Sequence, residues 1–290
     1  MRILLIGGQG QVGYELQRSL ACLGSLLVTT RKSLDLTDIG AIRQIIHLNK
    51  PELIVNAAAY TAVDKAEQET DLARQINAIA PAILAEEAKK LAIPLVHYST
   101  DYVFDGSKTS PWRETDTTGP VNHYGLTKLE GEQAILASGC NHLIFRTSWV
   151  YDRRGHNFLN TMLRLAEQRD ELNIVVDQSG TPTWSRHIAD VTAQALAQRS
   201  NDAEFWGKHT GIYHLSAAGR TNWKNFAEAI FNLAGQQGRK VPRVNAITTA
   251  EYPTPAKRPL NSCMDNTKLQ RHFGLQLPDW QVTLQWVMQS

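Results

Sequence analysis

The sequence has few cysteines, and their placement gives no metal or redox motif. Cys22, Cys140 and Cys263 are odd in number and far apart, and no two of them stand in a Cys-x-x-Cys spacing. We therefore interpret them as small, partly buried hydrophobic residues and not as catalytic thiols.

Long apolar runs are also missing. None approaches the roughly 20 residues that a helix needs to span a bilayer. The first apolar run is stopped at once by Gly7, too early for a secretory signal. Hydrophobic residues make up 42% of the chain and charged residues 20%, the composition of a soluble globular protein. We expect a cytoplasmic protein with no membrane partner.

Charge of one sign does not dominate. The net charge is +2, and Lys and Arg form no run that would track a phosphate backbone, so nucleic acid is not an expected partner. With 290 residues, the chain has room for a nucleotide-binding domain and a smaller lobe, but hardly for more.

The first half of the chain alternates short aliphatic runs with segments of helical periodicity. We predict strands at 2–7, 26–30, 53–56, 94–99 and 142–146, and helices at 12–23, 39–48, 73–91 and 126–137. In the looser second half we predict helices at 157–168, 188–198 and 223–234, and strands at 173–176 and 211–215. This rhythm predicts an α/β fold with a doubly wound, Rossmann-like parallel sheet. Residues 1–150 are expected to form an NAD(P)-binding domain. Residues 151–290 are expected to complete the sheet and form a smaller substrate-binding lobe, with a soft boundary between the two.

Three glycines between the first strand and the first helix point to a dinucleotide. In Gly7-Gly-Gln-Gly10-Gln-Val-Gly13, one glycine permits the tight turn, one admits the diphosphate, and one lets helix and strand approach closely. The diphosphate would lie at the helix N-terminus, which favours anions. An ordinary strand-to-helix turn is the alternative, but the extreme N-terminal position favours the cofactor.

The end of the second strand bears on the choice of cofactor. An acidic residue there usually binds the ribose of NAD, whereas this chain has Arg31 and Lys32, which suit the 2′-phosphate of NADPH. We predict NADPH, with NADH as the alternative if both cations are merely solvated. Asp35 and Leu36 suit the adenine edge, although Asp35 would equally cap the next helix. The small residues of 56–59 let a dinucleotide lie close over the sheet edge.

Tyr124 and Lys128 are the candidate acid–base pair. Their spacing of four places both on one helix face. An ordinary tyrosine has a pKa near 10. The Lys128 ammonium, together with the positive charge of an oxidised nicotinamide, is expected to lower the pKa of Tyr124 and make it a proton donor and acceptor, while Lys128 also holds the nicotinamide ribose. A surface pair is the bland alternative.

Hydroxyl groups at the end of the fourth strand support this interpretation. Thr100 is the candidate second donor to a substrate carbonyl, and Asp101 and Tyr102 are expected to contact substrate hydroxyls. The alternative is a hydrogen-bonded turn without a chemical role.

Several motifs, in order along nearly the whole chain, resemble the dTDP-4-dehydrorhamnose reductases, a family of the extended short-chain dehydrogenase/reductase superfamily. They lie at 10–16, 56–67, 99–106, 124–128, 146–151, 177–183 and 252–259. The resemblance implies reduction of the C4 ketone of dTDP-4-dehydro-L-rhamnose by NAD(P)H, the last step of dTDP-L-rhamnose synthesis. It implies that Tyr124 is the acid, with Lys128 and Thr100 as partners. It also implies cofactor contacts at Gly10, Gln11, Val12, Asp35, Leu36, Ala59, Tyr60, Thr61 and Tyr98.

The same resemblance places Trp149 in the sugar pocket. An aromatic ring just past a strand end suits the apolar face of a sugar, while a core role is the alternative. Arg258, in a proline-stiffened loop, is the candidate cation for the substrate diphosphate, with a surface role as its alternative.

A bound metal is not expected. Some members of the family are metal-linked homodimers, and Glu15 matches one acidic position, but Ser185-Arg186-His187 is basic where a carboxylate is needed. We therefore predict no metal site and do not expect Mg²⁺, and we leave the oligomeric state open, a homodimer included.

Two alternative functions remain: another nucleotide-sugar reductase or epimerase, and a non-catalytic NADP-binding regulatory subunit. Retention of Tyr124, Lys128 and Thr100 together argues against the regulatory subunit.

Overall fold

A six-stranded, fully parallel sheet forms the centre of the protein. The computed structural model describes residues 1–199 and 204–289. The strands of the sheet are β1 (Arg2–Ile6), β2 (Ser25–Thr29), β3 (Leu53–Asn56), β4 (Leu95–Thr100), β5 (His142–Thr147) and β10 (Gly211–His214). Their spatial order is β10-β5-β4-β3-β1-β2, and every pairing is parallel. The predicted doubly wound parallel sheet is confirmed.

Helices connect these strands. They are α1 (Gln11–Leu20), α2 (Ile39–Asn49), α3 (Val63–Ala66), α4 (Thr70–Arg74), α5 (Ala80–Lys90), α6 (His123–Ser138), α7 (Phe158–Gln168), α8 (Ser185–Gln198), α9 (Phe205–His209), α10 (Trp223–Gln236), α11 (Thr267–Phe273) and α12 (Trp280–Gln289). A π-helical turn at Gln75–Ile79 joins α4 to α5. In the part of the chain that the structure describes, no helix is long and apolar enough to cross a membrane.

Both faces of the sheet are covered, which explains why its strands are continuous apolar runs. Successive side chains of β1 point to opposite faces. Ile3 and Leu5 join a cluster with α1 and α8, and Leu4 and Ile6 join a second cluster with α2, α5 and α6. The strand order reverses at β1, because β2 lies on one side of it and β3 on the other. Ligands of such sheets bind in the crevice beyond the carboxyl ends of the strands at this point.

The second half of the chain does two things. It contributes β10 and α8 to the sheet layer and builds a separate lobe. The lobe holds a third hydrophobic cluster, in which α7, α10 and α12 pack with the parallel pair of β7 (Glu171–Val175) and β12 (Arg243–Ile247). Short strand pairs complete it: β6 (Val150–Tyr151) with β9 (Thr183–Trp184), and β8 (Ser179–Gly180) with β11 (Thr221–Asn222).

The largest differences from the predicted elements lie at helix starts. The helix predicted at 126–137 begins at His123, because Asn122 caps it by accepting a hydrogen bond from the Gly125 amide. The helix predicted at 73–91 begins at Thr70 and contains the π-helical turn. Apolar periodicity did not indicate α9, α11, α12 or β12.

Candidate active site

The glycine loop at the end of β1 is shaped by close backbone contacts. Gly7 has a φ of +86°, and a Cβ there would lie 2.7 Å from the Ala58 amide nitrogen. A Cβ at Gly13 would lie 2.1 Å from the Gly7 carbonyl oxygen. Gly10 is the N-cap of α1 and offers no side-chain acceptor to the amides of the first turn. Those amides therefore suit an anion, and the loop fits a dinucleotide diphosphate.

Two further residues of the α1 start, Gln11 and Val12, are partly exposed beside this loop. The Gln11 side-chain oxygen accepts a hydrogen bond of 2.7 Å from Asn157, the N-cap of α7. This contact links the glycine loop directly to the start of the lobe.

The region after β2 presents cations to solvent. Arg31 and Lys32 are both exposed. The Asp35 carboxylate accepts hydrogen bonds from the amide and hydroxyl of Thr37, which lower its pKa. The cap of α2 is Asp38, so the alternative that Asp35 caps this helix is wrong. Leu36 is 7% exposed and belongs mainly to the core, so only its edge is accessible to a ligand.

The segment after β3 is held by a residue that sequence reasoning missed. Asn77, in the π-helical turn, accepts a hydrogen bond from the Tyr60 amide and donates to the Tyr60 carbonyl oxygen and to the Thr127 hydroxyl. It therefore joins this segment to α6. Ala59 and Tyr60 are partly exposed and Thr61 is exposed, all at the predicted edge of the sheet. The Tyr60 hydroxyl donates to Glu69, and burial, followed by this carboxylate, raises its pKa to about 12.

Tyr124 and Thr100 are brought together, as predicted. A Cβ at Gly125 would lie 2.2 Å from the Tyr102 carbonyl oxygen, so the first turn of α6 rests directly on the segment that follows β4. The Thr100 hydroxyl acts on the Tyr124 phenol and opposes the rise of its pKa, which places the two groups near each other, and the same hydroxyl donates to the Asp101 carboxylate at 3.0 Å. The ring of Tyr102 meets the ring of Tyr124 edge-on, with centroids 5.6 Å apart. Tyr124 keeps part of its side chain accessible.

Of the two charges expected to lower the pKa of Tyr124, that of Lys128 does not do so. The pKa of Tyr124 is raised to about 12, because burial disfavours the phenolate and Asp101 adds to this effect, while the nearby Thr100 hydroxyl opposes it. Lys128 is only 1% exposed, and its Nζ turns toward β4, where it donates to the Tyr98 carbonyl oxygen at 2.7 Å. Burial lowers the pKa of Lys128 to about 8, against the opposing charge of Glu132.

Two other predicted contacts are also corrected. Asp101 is 3% exposed and lies beside Ser262 and Ser148, so the prediction that it contacts substrate hydroxyls is wrong for this arrangement. Burial raises its pKa to about 6. The Tyr98 phenol lies 2.8 Å from the Thr192 hydroxyl inside the core. Only the carbonyl oxygen of Tyr98 therefore reaches the site, through Lys128.

Trp149 forms an aromatic platform that joins the sheet to the lobe. Its ring stacks on Trp223 with centroids 3.4 Å apart and planes within 7°. Gly180 also packs against the Trp149 ring, since a Cβ at Gly180 would lie 2.3 Å from the indole. Trp149 has a φ of +46°, a strained conformation for a bulky residue. It remains partly exposed, so it is not a core tryptophan.

Arg258 is neither free nor on the surface. Its side chain is 17% exposed and pairs with the Asp64 carboxylate at 2.8 Å. The positive charge of Arg258 acts to lower the pKa of Tyr102, which places Arg258 near the rings of Tyr102 and Tyr124. A substrate diphosphate would have to share this guanidinium with Asp64.

Glu15, which matches an acidic position of the metal-linked family members, is already paired with cations of this chain. Its carboxylate pairs with Arg186 at 3.0 Å and with Arg18 at 3.3 Å. Across residues 1–199 and 204–289, no group of three or more His, Cys, Asp or Glu side chains is placed to hold a metal ion. His187 packs between the rings of Trp184 and Trp286.

Sequence reasoning missed a group of buried polar residues near the site. They are Asn77, His97, Glu132 and Arg146. The available signal was a single polar residue inside an apolar strand, as for His97 and Arg146, or on a helix face otherwise used for packing. Such a residue is buried only with partners, but the pattern does not name the partner.

Comparisons with known proteins identify the family of the chain. The family model described as RmlD substrate binding domain matches residues 1–290. The dTDP-4-dehydrorhamnose reductase of Burkholderia thailandensis is 48% identical over 284 residues, covering 97% of this chain and 95% of that protein. That of Escherichia coli strain K12 is 46% identical, with 97% and 95% coverage.

Solved structures give the same result. A dTDP-4-dehydrorhamnose reductase from Clostridium acetobutylicum has a TM-score of 0.92 at 37% identity, covering 100% of this chain and 99% of its own. One from Bacillus anthracis, in complex with NADP, has a TM-score of 0.90 at 34% identity, with 99% and 98% coverage. The chain therefore belongs to the dTDP-4-dehydrorhamnose reductase family.

Proposed function

We propose that this protein reduces the C4 ketone of dTDP-4-dehydro-L-rhamnose to dTDP-L-rhamnose with NADPH. The observation that carries the proposal is the position of Tyr124 beside Thr100 at the carboxyl edge of the sheet, next to a glycine loop that fits a dinucleotide. Membership of a family whose curated relatives bear this name supports the choice of sugar. The NADP bound to the Bacillus anthracis relative supports the cofactor.

Each part of the site has a role in this proposal. Bound NADPH supplies the hydride. The glycine loop binds the diphosphate of the cofactor, and Arg31 and Lys32 bind its 2′-phosphate. Tyr124 donates its proton to the O4 oxygen as negative charge develops there, and Thr100 stabilises the same oxygen by hydrogen bonding. The pKa of about 12 keeps Tyr124 protonated at neutral pH, which is the form that an acid needs.

Trp149 and Arg258 are proposed to bind the substrate. The Trp149 ring, held by its stacking on Trp223 and by Gly180, suits contact with the deoxysugar through its exposed edge. Arg258 suits the substrate diphosphate, with Asp64 fixing the guanidinium. A cytoplasmic location remains a prediction of the sequence, and the oligomeric state stays open, a homodimer included.

The proposal is tested by following NADPH absorbance with dTDP-4-dehydrorhamnose. We expect oxidation of NADPH by the wild type and loss of at least about 100-fold in kcat for Tyr124→Phe, since a positioned acid contributes about 10²–10⁴-fold. Tyr151→Phe is the matched control, because its hydroxyl is buried without a hydrogen-bond partner and is remote from the chemistry. A wild type that leaves NADPH unchanged would contradict the function. Full activity of Tyr124→Phe would contradict the mechanism and favour another acid.

A further inference from the structure

A chain of buried polar groups runs from β3 through β4 to Lys128. Asn56 and His97 are 0% exposed and Lys128 is 1% exposed. The Asn56 Nδ2 lies 3.1 Å from His97 Nδ1, and His97 Nε2 lies 3.2 Å from Lys128 Nζ. Each group comes from a different element of the fold, and each is without direct access to water.

The direction of these hydrogen bonds is fixed at one end by the backbone. The Ala58 amide, which can only donate, lies 3.2 Å from Asn56 Oδ1. The other half of the Asn56 amide, its NH₂ group, must then face His97 Nδ1, which accepts. A neutral imidazole carries one proton, so that proton is on Nε2 and points at Lys128 Nζ.

This direction has a consequence for Lys128. An ammonium group has three donors and no acceptor, so it cannot accept the proton of Nε2. An uncharged amine can, and it still donates to the Tyr98 carbonyl oxygen at 2.7 Å. The hydrogen bonds in the structure are thus complete only for uncharged Lys128. Charging of His97 is not an alternative, because burial and the nearby Lys128 hold the pKa of His97 well below its usual value.

We propose that His97 and Asn56 are positioning residues that couple the protonation of Lys128 to the edge of the cofactor site. When Nζ takes up one proton from solvent, the proton of His97 moves from Nε2 to Nδ1, and the Asn56 amide turns over to accept it. The ring stays neutral throughout. The turned amide then presents its NH₂ group to the Ala58 amide, and the hydrogen bond at Ala58 is lost. This inference rests on the proposed function only in taking Lys128 as part of the catalytic pair.

The hydrogen bonds that join Asn56, His97 and Lys128 disfavour the charged form of Lys128, in addition to the effect of burial. The ionisable groups around this lysine are His97 on β4, Glu132 one turn later on α6, and Tyr124 one turn earlier on the same helix. The Glu132 charge favours the ammonium, but Glu132 is itself paired with Arg146 of β5. The lowered pKa of Lys128, about 8, is consistent with an amine held uncharged by its surroundings.

The coupling is tested by nitrogen NMR of the full-length protein labelled with ¹⁵N-histidine, which distinguishes the two tautomers and the charged ring. Nine histidines are present, and the His97 signals are assigned by their loss in His97→Gln. Between about pH 6 and about pH 10, we expect His97 to stay neutral. We also expect its proton to move from Nδ1 to Nε2 as the pH rises, with a midpoint near the pKa of Lys128, about 8.

Two controls separate the coupling from ordinary titration. His142 is buried with Nδ1 2.8 Å from the Cys140 carbonyl oxygen, so its proton is expected on Nδ1 at every pH. In Lys128→Met the tautomer change of His97 is expected to disappear, leaving the proton on Nε2. In Asn56→Asp the new carboxylate accepts only, so the proton is expected on Nδ1 throughout.

The proposal is overturned if His97 keeps one tautomer over the whole range in the wild type, or if it charges with an ordinary histidine pKa near 6.5. It is also overturned if the tautomer change persists in Lys128→Met. None of these measurements uses the sugar or the cofactor, so failure of the proposed reduction would leave their outcome unaffected.

Discussion

The buried ion pair between Glu132 and Arg146 is predicted to anchor the catalytic helix to the sheet. Glu132 lies one turn after Lys128 on α6, and Arg146 lies on β5. Their side chains are 1% and 3% exposed, and two parallel hydrogen bonds of 2.9 and 2.7 Å join them. Glu132→Gln keeps the shape of the side chain but removes its charge, which leaves the guanidinium buried without a counter-ion.

The expected cost follows from this burial. Removing one partner of a buried ion pair costs about 3–5 kcal/mol. For a chain of this size, 1 kcal/mol corresponds to about 2–4 °C in Tm, so Glu132→Gln should lower Tm by roughly 6–20 °C. Removing both charges in Glu132→Met/Arg146→Met avoids the unpaired guanidinium. The double variant should therefore recover most of the loss.

Thermal and urea unfolding at pH 7, followed by circular dichroism, measure these effects. The matched control is Glu86→Gln, whose carboxylate pairs with Arg43 at 2.7 Å but is 43% exposed. An exposed pair contributes about 0–1 kcal/mol. Equal losses in Glu132→Gln and Glu86→Gln would refute the reasoning. A double variant as unstable as Glu132→Gln would show that shape, and not charge, sets the cost.

Three further predictions follow from the site. In Gly13→Ala the new Cβ would lie 2.1 Å from the Gly7 carbonyl oxygen. We expect this variant to bind NADPH at least about tenfold more weakly, equivalent to about 1.4 kcal/mol, as measured by fluorescence titration. The control Gly207→Ala, which has open space around the new Cβ, should bind NADPH as the wild type does. Arg31→Ala should reduce the preference in kcat/KM for NADPH over NADH, and unchanged discrimination would reject the role of Arg31. Because burial raises the folded-state pKa of Asp101 to about 6, its carboxyl stabilises the protein fully below pH about 4 and progressively less up to about 6. The stability of Asp101→Asn relative to the wild type should therefore increase as the pH rises from about 4 to above 6, by up to about 3 kcal/mol. A difference in Tm between the two proteins that is the same at pH 4 and at pH 7 would contradict this.

The sequence predicted the sheet well because its signals are local. A buried parallel strand is a continuous apolar run whatever its neighbours are, and the predicted strand at 53–56 matches β3 residue for residue. Helix starts were less accurate, since they depend on one capping side chain, as with Asn122 of α6. The π-helical turn with Asn77 gives no periodic signal and was not predicted.

In the candidate site, too, the features with a local sequence signal were predicted and the others were not. The glycine loop follows from residue type and position, because only glycine allows the approaches seen at Gly7 and Gly13. The contact between Tyr124 and Thr100 follows from the shared carboxyl edge of parallel strands. Burial was harder to predict: Asp101, just past a strand end, was expected at the sheet edge and Tyr98 was expected at the cofactor from the family resemblance, but both side chains turn into the core. Their direction depends on which helix covers each face of the sheet.

The sequence by itself determined the fold class, from the alternation of strands and helices, and it indicated the glycine loop and the proposed acid Tyr124, each from spacing within one short segment. Only the tertiary structure decided the charge environment of that acid. Four residues of spacing place Tyr124 and Lys128 on one helix face, yet Nζ turns to His97 and the Tyr98 carbonyl oxygen, groups that lie some 30 residues earlier in the chain. A pKa depends on burial and on neighbours from other elements, and the folded chain alone brings those neighbours together.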